Sequence, residues 1–144
     1  MFPIAHIASA ILFNRLAFND ESITPAAVGS LVPDAIDKPL AWVLRVTPAS
    51  HHLAHTPLAA GALSLLTARL CGRAAARSLA SAYLLHLVSD DMHHGRVPWL
   101  MPFSPYKRLP RRRDWRLLAV GLVLEALSVA FLLKRGASPN PMTT

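Results

Sequence analysis

His86 and Asp90 stand four residues apart in the stretch Ala-Tyr-Leu-Leu-His-Leu-Val-Ser-Asp, which reads as helix. On a helix, residues four apart share a face with Cβ atoms roughly 5–6 Å apart, so an imidazole and a carboxylate so placed reach one cation together. His51 and His55 repeat that spacing, and His52 and His55 give the three-residue alternative. Asp34 and Asp37 offer two more carboxylates between Pro33 and Pro39. All 7 histidines fall in four clusters, His6, His51/His52/His55, His86 and His93/His94, separated by long runs of Ala, Leu, Val and Ile. Imidazole and carboxylate gathered in this way are the donor set of a metal site.

Each pair has a plainer reading. A lone His-x3-Asp is usually a hydrogen-bonded pair, adjacent loop histidines are commonly solvated, Asp34 would serve as a helix cap, and Asp37-Lys38 as solvated turn residues. Together these readings fail, because the chain is 53% hydrophobic and only 16% charged. Ionisable groups in so apolar a chain are costly unless paired or bound to metal. Half of the 8 acids (Asp34, Asp37, Asp90, Asp91) lie near the histidines, which leaves the remainder of a +7 chain strongly basic. The single cysteine, Cys71, excludes an intramolecular disulfide and any multi-cysteine zinc motif, and reads as an inert helix-end residue beside Gly72.

The elements that must position these residues are helical, since alternating β-branched runs are scarce. The expected fold is all-α: a compact, membrane-associated bundle of about five to six helices within one domain, as 144 residues allow. Three Thr-Pro steps, Thr24-Pro25, Thr47-Pro48 and Thr56-Pro57, predict helix starts, with Thr as N-cap and Pro at N1. Helices are predicted over 3–17, 57–70, 75–91 and 115–134, with a short helix from Thr24 ending near Gly29 to Pro33. An Asp-rich corner at 33–39, an apolar segment at 40–46 and a turn at 48–55 lie between. The metal-site region is 1–106, followed by a basic segment and membrane helix over 107–135 and a disordered tail at 136–144.

Only Arg116 to Leu133 meets the roughly 20-residue requirement of a membrane span cleanly, interrupted by Glu125 alone and flanked by Arg111-Arg112-Arg113 and Lys134-Arg135. A C-terminal transmembrane helix is therefore expected; 57–70 and 78–89 are shorter, and either span with help or form a buried hairpin. The six cations between Lys107 and Arg116 place that segment in the cytoplasm by the positive-inside rule, or on anionic lipid. Up-down threading backwards from there returns the histidine clusters to one membrane face. Nucleic-acid binding is not expected, because only Tyr106 and Trp115 accompany the cations and no stacking platform results. With no basic stretch before the apolar N-terminus, a cleaved signal peptide is not expected either.

The order of these residues resembles a known family. His6, the corner Gly29-Ser30-Leu31-Val32-Pro33-Asp34-Ala35-Ile36-Asp37, His55-Thr56, and His86 to Asp90 followed by Gly95, Val97, Trp99, Pro102 and Phe103 look like the YdjM-like family of LexA-binding, inner-membrane-associated metal-dependent hydrolases. The likeness covers about residues 1–106. This chain departs in the residue added between the aspartates, in Ala54 where Thr is usual, and in His51 where an arginine is common. A more distant likeness is to zinc-dependent phospholipase C, whose ligand order maps onto His6, Asp34, His55, His86 and Asp90. The resemblance implies that these five residues hold metal, with His51, His52, His93 and His94 as auxiliaries. It also implies an inner-membrane location, multi-pass or membrane-associated, and a LexA-like partner.

Mixed imidazole and carboxylate ligands suit Zn²⁺, one or two ions, ahead of Mn²⁺ or Fe²⁺. The expected activity is metal-dependent hydrolysis of a phosphoester or lipid-like substrate at the membrane face, with Asp37 or His52 taking the proton from water or orienting a ligand. The alternative is a non-catalytic membrane protein in which metal fixes the bundle or the basic segment docks a partner.

Overall fold

The computed structural model describes residues 3–19, 22–47, 50–94, 97–103 and 115–136. Among them are five helices, α1 (Pro3–Phe18), α2 (Ile23–Trp42), α3 (Pro57–Cys71), α4 (Arg73–His94) and α5 (Trp115–Gly136), and no strand. The all-α expectation holds. The basic segment at 107–113 and the tail beyond 136 lie outside the described residues, as do the side chains of His93, His94 and Glu125.

Local chemistry accounts for the helix ends. Thr56 caps α3 as its Thr-Pro step predicts: its Oγ1 accepts from Ala59 N at 3.1 Å, and Pro57 opens the helix. Asn19, at φ +51, ends α1 in the left-handed conformation that asparagine tolerates, its N–H donating to Arg15 O at 3.1 Å. Gly72, at φ +89, turns the chain from α3 into α4. The other two Thr-Pro steps behave differently. Helix α2 begins at Ile23, one residue before Thr24. Thr47 lies in a bend, and Pro48 falls outside the described residues.

The largest departure is α2. It does not stop near Pro33 but runs through Pro33 and Pro39 to Trp42, so the predicted corner at 33–39 is helical. Proline in a helix interior costs a backbone hydrogen bond and a clash, about 3 kcal/mol in isolation, but packing against α4 and α1 holds this helix together. Asp34 and Asp37 consequently lie three residues apart on one helical face, close to Ser30 and Pro33, which are both buried.

Cross-helix contacts fix the directions. Gly29 of α2 meets Leu79 and Ala82 of α4, while five residues further along Asp34 meets His86 and Asp90, so α2 and α4 run parallel. Asn14 of α1 hydrogen-bonds Ser78 and Ser81, whereas His6 stacks on His86, so α1 runs antiparallel to α4. Ala60 and Leu63, near the start of α3, pack with Tyr83 and Leu87 of α4. The N-termini of α1 and α3 and the C-termini of α2 and α4 therefore share one end of the bundle. A second apolar cluster, Ala10, Ile11, Ala26 and Ala82, joins α1, α2 and α4.

Helix α2 approaches α4 closely because Gly29 has no side chain. A Cβ there would lie 2.4 Å from the Leu79 carbonyl oxygen and 3.1 Å from Ala82 Cβ, and neither backbone oxygen nor alanine has a torsion with which to yield. Gly29→Ala is expected to cost about 2–3 kcal/mol through overpacking and to lower the thermal midpoint by roughly 5–10 °C. Gly61→Ala, where a Cβ meets nothing within 4 Å, is the matched control and should leave the midpoint unchanged or raise it.

Among the described residues no helix is long and apolar enough to cross a membrane. The transmembrane helix expected over 116–133 thus has no support there, nor does a multi-pass arrangement. Several α5 side chains within that stretch are outside the described set, so the expected apolar run is not carried by the residues described. Helix α5 itself forms as expected and packs on α1 and α4.

Candidate metal centre

Helix α4 supplies the centre's spine. Leu79, Tyr83, His86, Leu87 and Asp90 recur at three- and four-residue spacing, and all are buried. Tyr83 and Leu87 anchor that face in the core, which fixes the level at which His86 and Asp90 emerge. Helix α1 brings His6 alongside: its ring stacks on His86 with centroids 4.1 Å apart, and its Nε2 lies 3.5 Å from Asp90 Oδ1. Helix α2 brings Asp34 and Asp37, and the segment before α3 brings His51, His52 and His55.

Asp37 organises that last segment. Its carboxylate is fully buried and accepts backbone N–H bonds from His52 (2.7 Å), Ala54 (3.0 Å) and His55 (3.1 Å). It also faces His55 Nδ1 at 2.8 Å. Successive amides converging on one carboxylate form an anion nest, so the chain at 50–56 wraps around Asp37. The Tyr83 hydroxyl ties the same loop to α4 by donating to the Ala54 carbonyl. With Nδ1 held by Asp37, His55 turns Nε2 inward, the arrangement in which a carboxylate sets tautomer and ring orientation for a metal-binding histidine.

Asp34, His55, His86 and Asp90 then present one ligand atom each, all within 4.8 Å of one another. The finer distances are informative. His55 Nε2 and His86 Nε2 are 3.3 Å apart, each lies 3.4 Å from Asp90 Oδ2, and His55 Nε2 lies 3.5 Å from Asp34 Oδ1. Bonds of about 2.0–2.1 Å to a tetrahedral zinc set ligand–ligand edges of about 3.3–3.4 Å, whereas good N–H···O hydrogen bonds are shorter. Asp34 Oδ1 is buried without a hydrogen-bond partner, and a buried polar atom left in that state is costly. The donors present fit a divalent ion.

Charge points the same way. Asp34 pairs with the Lys38 ammonium, while Asp37 and Asp90 face imidazoles; with those imidazoles neutral, two negative charges remain on the three carboxylates. Burial alone would raise all three carboxyls. For Asp90 the surrounding imidazoles of His51, His55, His6 and His86 outweigh it and hold the group well below the usual carboxylate range. His55 and Lys38 do the same for Asp34, and His55 with the loop amides for Asp37. Burial would lower His55, but Asp34, Asp37 and Asp90 drive it up to about 10. His6 moves down, because burial outweighs its contact with Asp90. Burial and the Asp37 charge push the Tyr83 phenol up.

Every one of the expected residues His6, Asp34, Asp37, His52, His55, His86 and Asp90 lies at this end of the bundle. The quartet is tightest, His6 sits against Asp90 and His86, and His52 joins through its backbone N–H to Asp37. Two participants exceed the part the sequence suggested. His51 brings Nε2 to 3.1 Å from Asp90 Oδ2, and Lys38 is not a solvated turn residue but the partner of Asp34. Tyr83 was not singled out, although its place three residues before His86 on the buried face is a readable signal.

Compared with known proteins, the chain matches the family described as YdjM inner membrane protein over residues 1–141. No curated protein and no solved structure matches it. The likeness to zinc-dependent phospholipase C therefore gains no support.

Proposed function

We propose that this chain, which belongs to the YdjM inner membrane protein family, is a membrane-associated metal-dependent hydrolase acting on a phosphoester or lipid-like substrate. The observation that carries the reading is the convergence of Asp34, His55, His86 and Asp90 within 4.8 Å, at distances of 3.3–3.5 Å where His55 and Asp90 meet their neighbours, with Asp34 Oδ1 lacking a hydrogen bond. These four residues would hold the ion, zinc before manganese or iron on ligand chemistry, with His6 and His51 closing the sides through Asp90. What such an ion supplies is Lewis-acid polarisation of a phosphoryl or carbonyl oxygen and activation of water.

The protein's own groups do the rest. Of the two roles expected for Asp37, its geometry supports the orienting one, since it faces His55 Nδ1 and four donors already surround it. His52, half-buried beside that loop, remains the proposed proton acceptor. Lys38, beside Asp34 and part-exposed, is placed to meet an anionic substrate oxygen. The α5 stretch 116–133 is the proposed membrane anchor, and LexA-like binding remains a proposal from the resemblance alone. The test is turnover of a panel of phosphomonoesters, phosphodiesters and carboxylic esters by full-length protein in lipid, with and without added zinc. Turnover that requires metal and disappears in His55→Ala supports hydrolysis. A metal-loaded, folded protein inert across the panel favours the non-catalytic alternative, to which the near-complete burial of His55, His86 and Asp90 also lends weight.

Metal affinity should depend on pH in a defined direction. His55, raised to about 10 without metal, carries a proton at neutral pH that must leave before Nε2 can bind an ion. Affinity is therefore expected to rise about tenfold per pH unit between pH 6 and 8, with about one proton released per ion bound. Calorimetry in buffers of different ionisation enthalpy measures that proton; a pH-independent affinity would contradict the protonated His55.

A further inference from the structure

His6, Ala10 and Asn14 make one four-residue row of α1, and Ser78, Ala82 and His86 make the opposing row of the antiparallel α4. All six are buried. Rows at this spacing are the ridges by which packed helices interdigitate. At one end His6 stacks on His86, ring centroids 4.1 Å apart, with its Nε2 3.5 Å from Asp90 Oδ1. In the middle, Ala10 and Ala82 share one apolar cluster. At the other end the Asn14 side-chain amide donates to Ala10 O at 2.9 Å and to Ser78 O at 3.4 Å, and its Oδ1 accepts from Ser81 Oγ at 2.8 Å. Each polar atom of Asn14 thus has a partner in the interior of the bundle.

We infer that Asn14 is a positioning residue for the metal centre: it sets the register of α1 on α4 and so delivers His6 to Asp90 and His86. Its consequence rests on the metal reading, and its geometry does not. The alanines between the two ends carry no register information, because apolar contact is non-directional. A slide of α1 by one turn, about 5.4 Å, would keep much the same face buried. It would also take Asn14 off Ser78 and Ser81, leaving Oδ1 and one N–H unpaired in the interior, which is costly. A buried asparagine fixes the register of a coiled coil by the same physics. The same slide would carry His6 a full turn from Asp90. Asn14 stands eight residues from His6 and touches none of the proposed ligands, so its effect on the centre passes through the placement of α1.

Asn14→Leu in the full-length protein removes the lock without orphaning its neighbours, since Ser81 Oγ keeps a second acceptor, Ser78 O at 3.0 Å. The variant should fold, with a thermal midpoint unchanged or raised, as when a register-setting asparagine is made apolar; Asn14→Ala, which cannot overpack, is carried alongside. Nitroxides at Leu16→Cys and Val88→Cys, both exposed, in a Cys71→Ser background, report the position of α1 along α4 without metal, by pulsed electron resonance. With Asn14 present the distances should form one narrow peak. Each variant should add a component displaced by about 5 Å, one helical turn; an unchanged single peak in both overturns the inference. Zinc titration of the unlabelled protein then separates positioning from packing. Asn14→Leu and His6→Ala should each weaken zinc binding about tenfold, and the double variant should bind no more weakly than His6→Ala, because Asn14 acts through His6. Losses that multiply to about a hundredfold overturn the positioning role, as does wild-type affinity in Asn14→Leu. A wild-type chain that takes up no zinc refutes the metal reading instead, and the metal-free distances still decide whether Asn14 sets the register.

Discussion

Asp90→Ala is expected to abolish metal retention and to destabilise the protein by about 3 kcal/mol, the low end of the range for breaking a buried charge pair. One carboxylate here serves four imidazoles: Oδ2 lies 3.1–3.4 Å from His51, His55 and His86, and Oδ1 lies 3.5 Å from His6. Removing it takes away a ligand atom and the charge that opposes a protonated His55. Affinity for zinc should fall by more than the roughly 10–100-fold that loss of a supporting partner costs. Asp90→Asn separates the two effects. The isosteric amide keeps the packing, so it should retain most of the stability while still losing the metal. Calorimetric zinc titration beside chemical denaturation checks both. An Asp90→Ala protein that binds zinc like the wild type would remove Asp90 from the centre.

Asp37 gives the second large effect, by a different route. Asp37→Ala leaves the amides of His52, Ala54 and His55 and the His55 Nδ1–H without their acceptor in a buried place. Each such orphaned donor costs about 1–3 kcal/mol, so the segment at 50–56 should lose its fixed shape and the variant should fold poorly. Asp37→Asn preserves shape but lacks the charge that sets the His55 tautomer. It should fold and bind zinc about 10–100-fold more weakly. That loss should appear without loss of stoichiometry, because the four ligand atoms are still present. Loss of stoichiometry in Asp37→Asn would make Asp37 a ligand rather than an orienting group.

Much of this centre was legible in residue spacing, for physical reasons that also explain what was not. His86 and Asp90 were readable because helical periodicity puts four-residue neighbours on one face, and α4 is a long regular helix. The start of α3 was readable because Thr-Pro carries its capping chemistry locally. The path of α2 was misread because proline rules describe an isolated helix, whereas Pro33 and Pro39 sit in one held by its neighbours. That error hid the pairing of Lys38 with Asp34, which exists only if 34 and 38 are a helical turn apart. His51 was read as an auxiliary because side-chain direction in the 50–56 loop is set by Asp37, fifteen or so residues away in sequence, and no local pattern encodes it. The family was readable from the order of motifs, and the match over 1–141 bears it out.

The central claim is that Asp34, His55, His86 and Asp90 hold one divalent ion. Elemental analysis of purified full-length protein, loaded with zinc and freed of excess by gel filtration, tests it most directly with His86→Ala alongside. The account predicts about one ion per wild-type chain and less than about a tenth of that in the variant, as loss of a ligand from a four-ligand site requires. A wild-type chain without stoichiometric metal, or a His86→Ala chain that keeps its full complement, would contradict it.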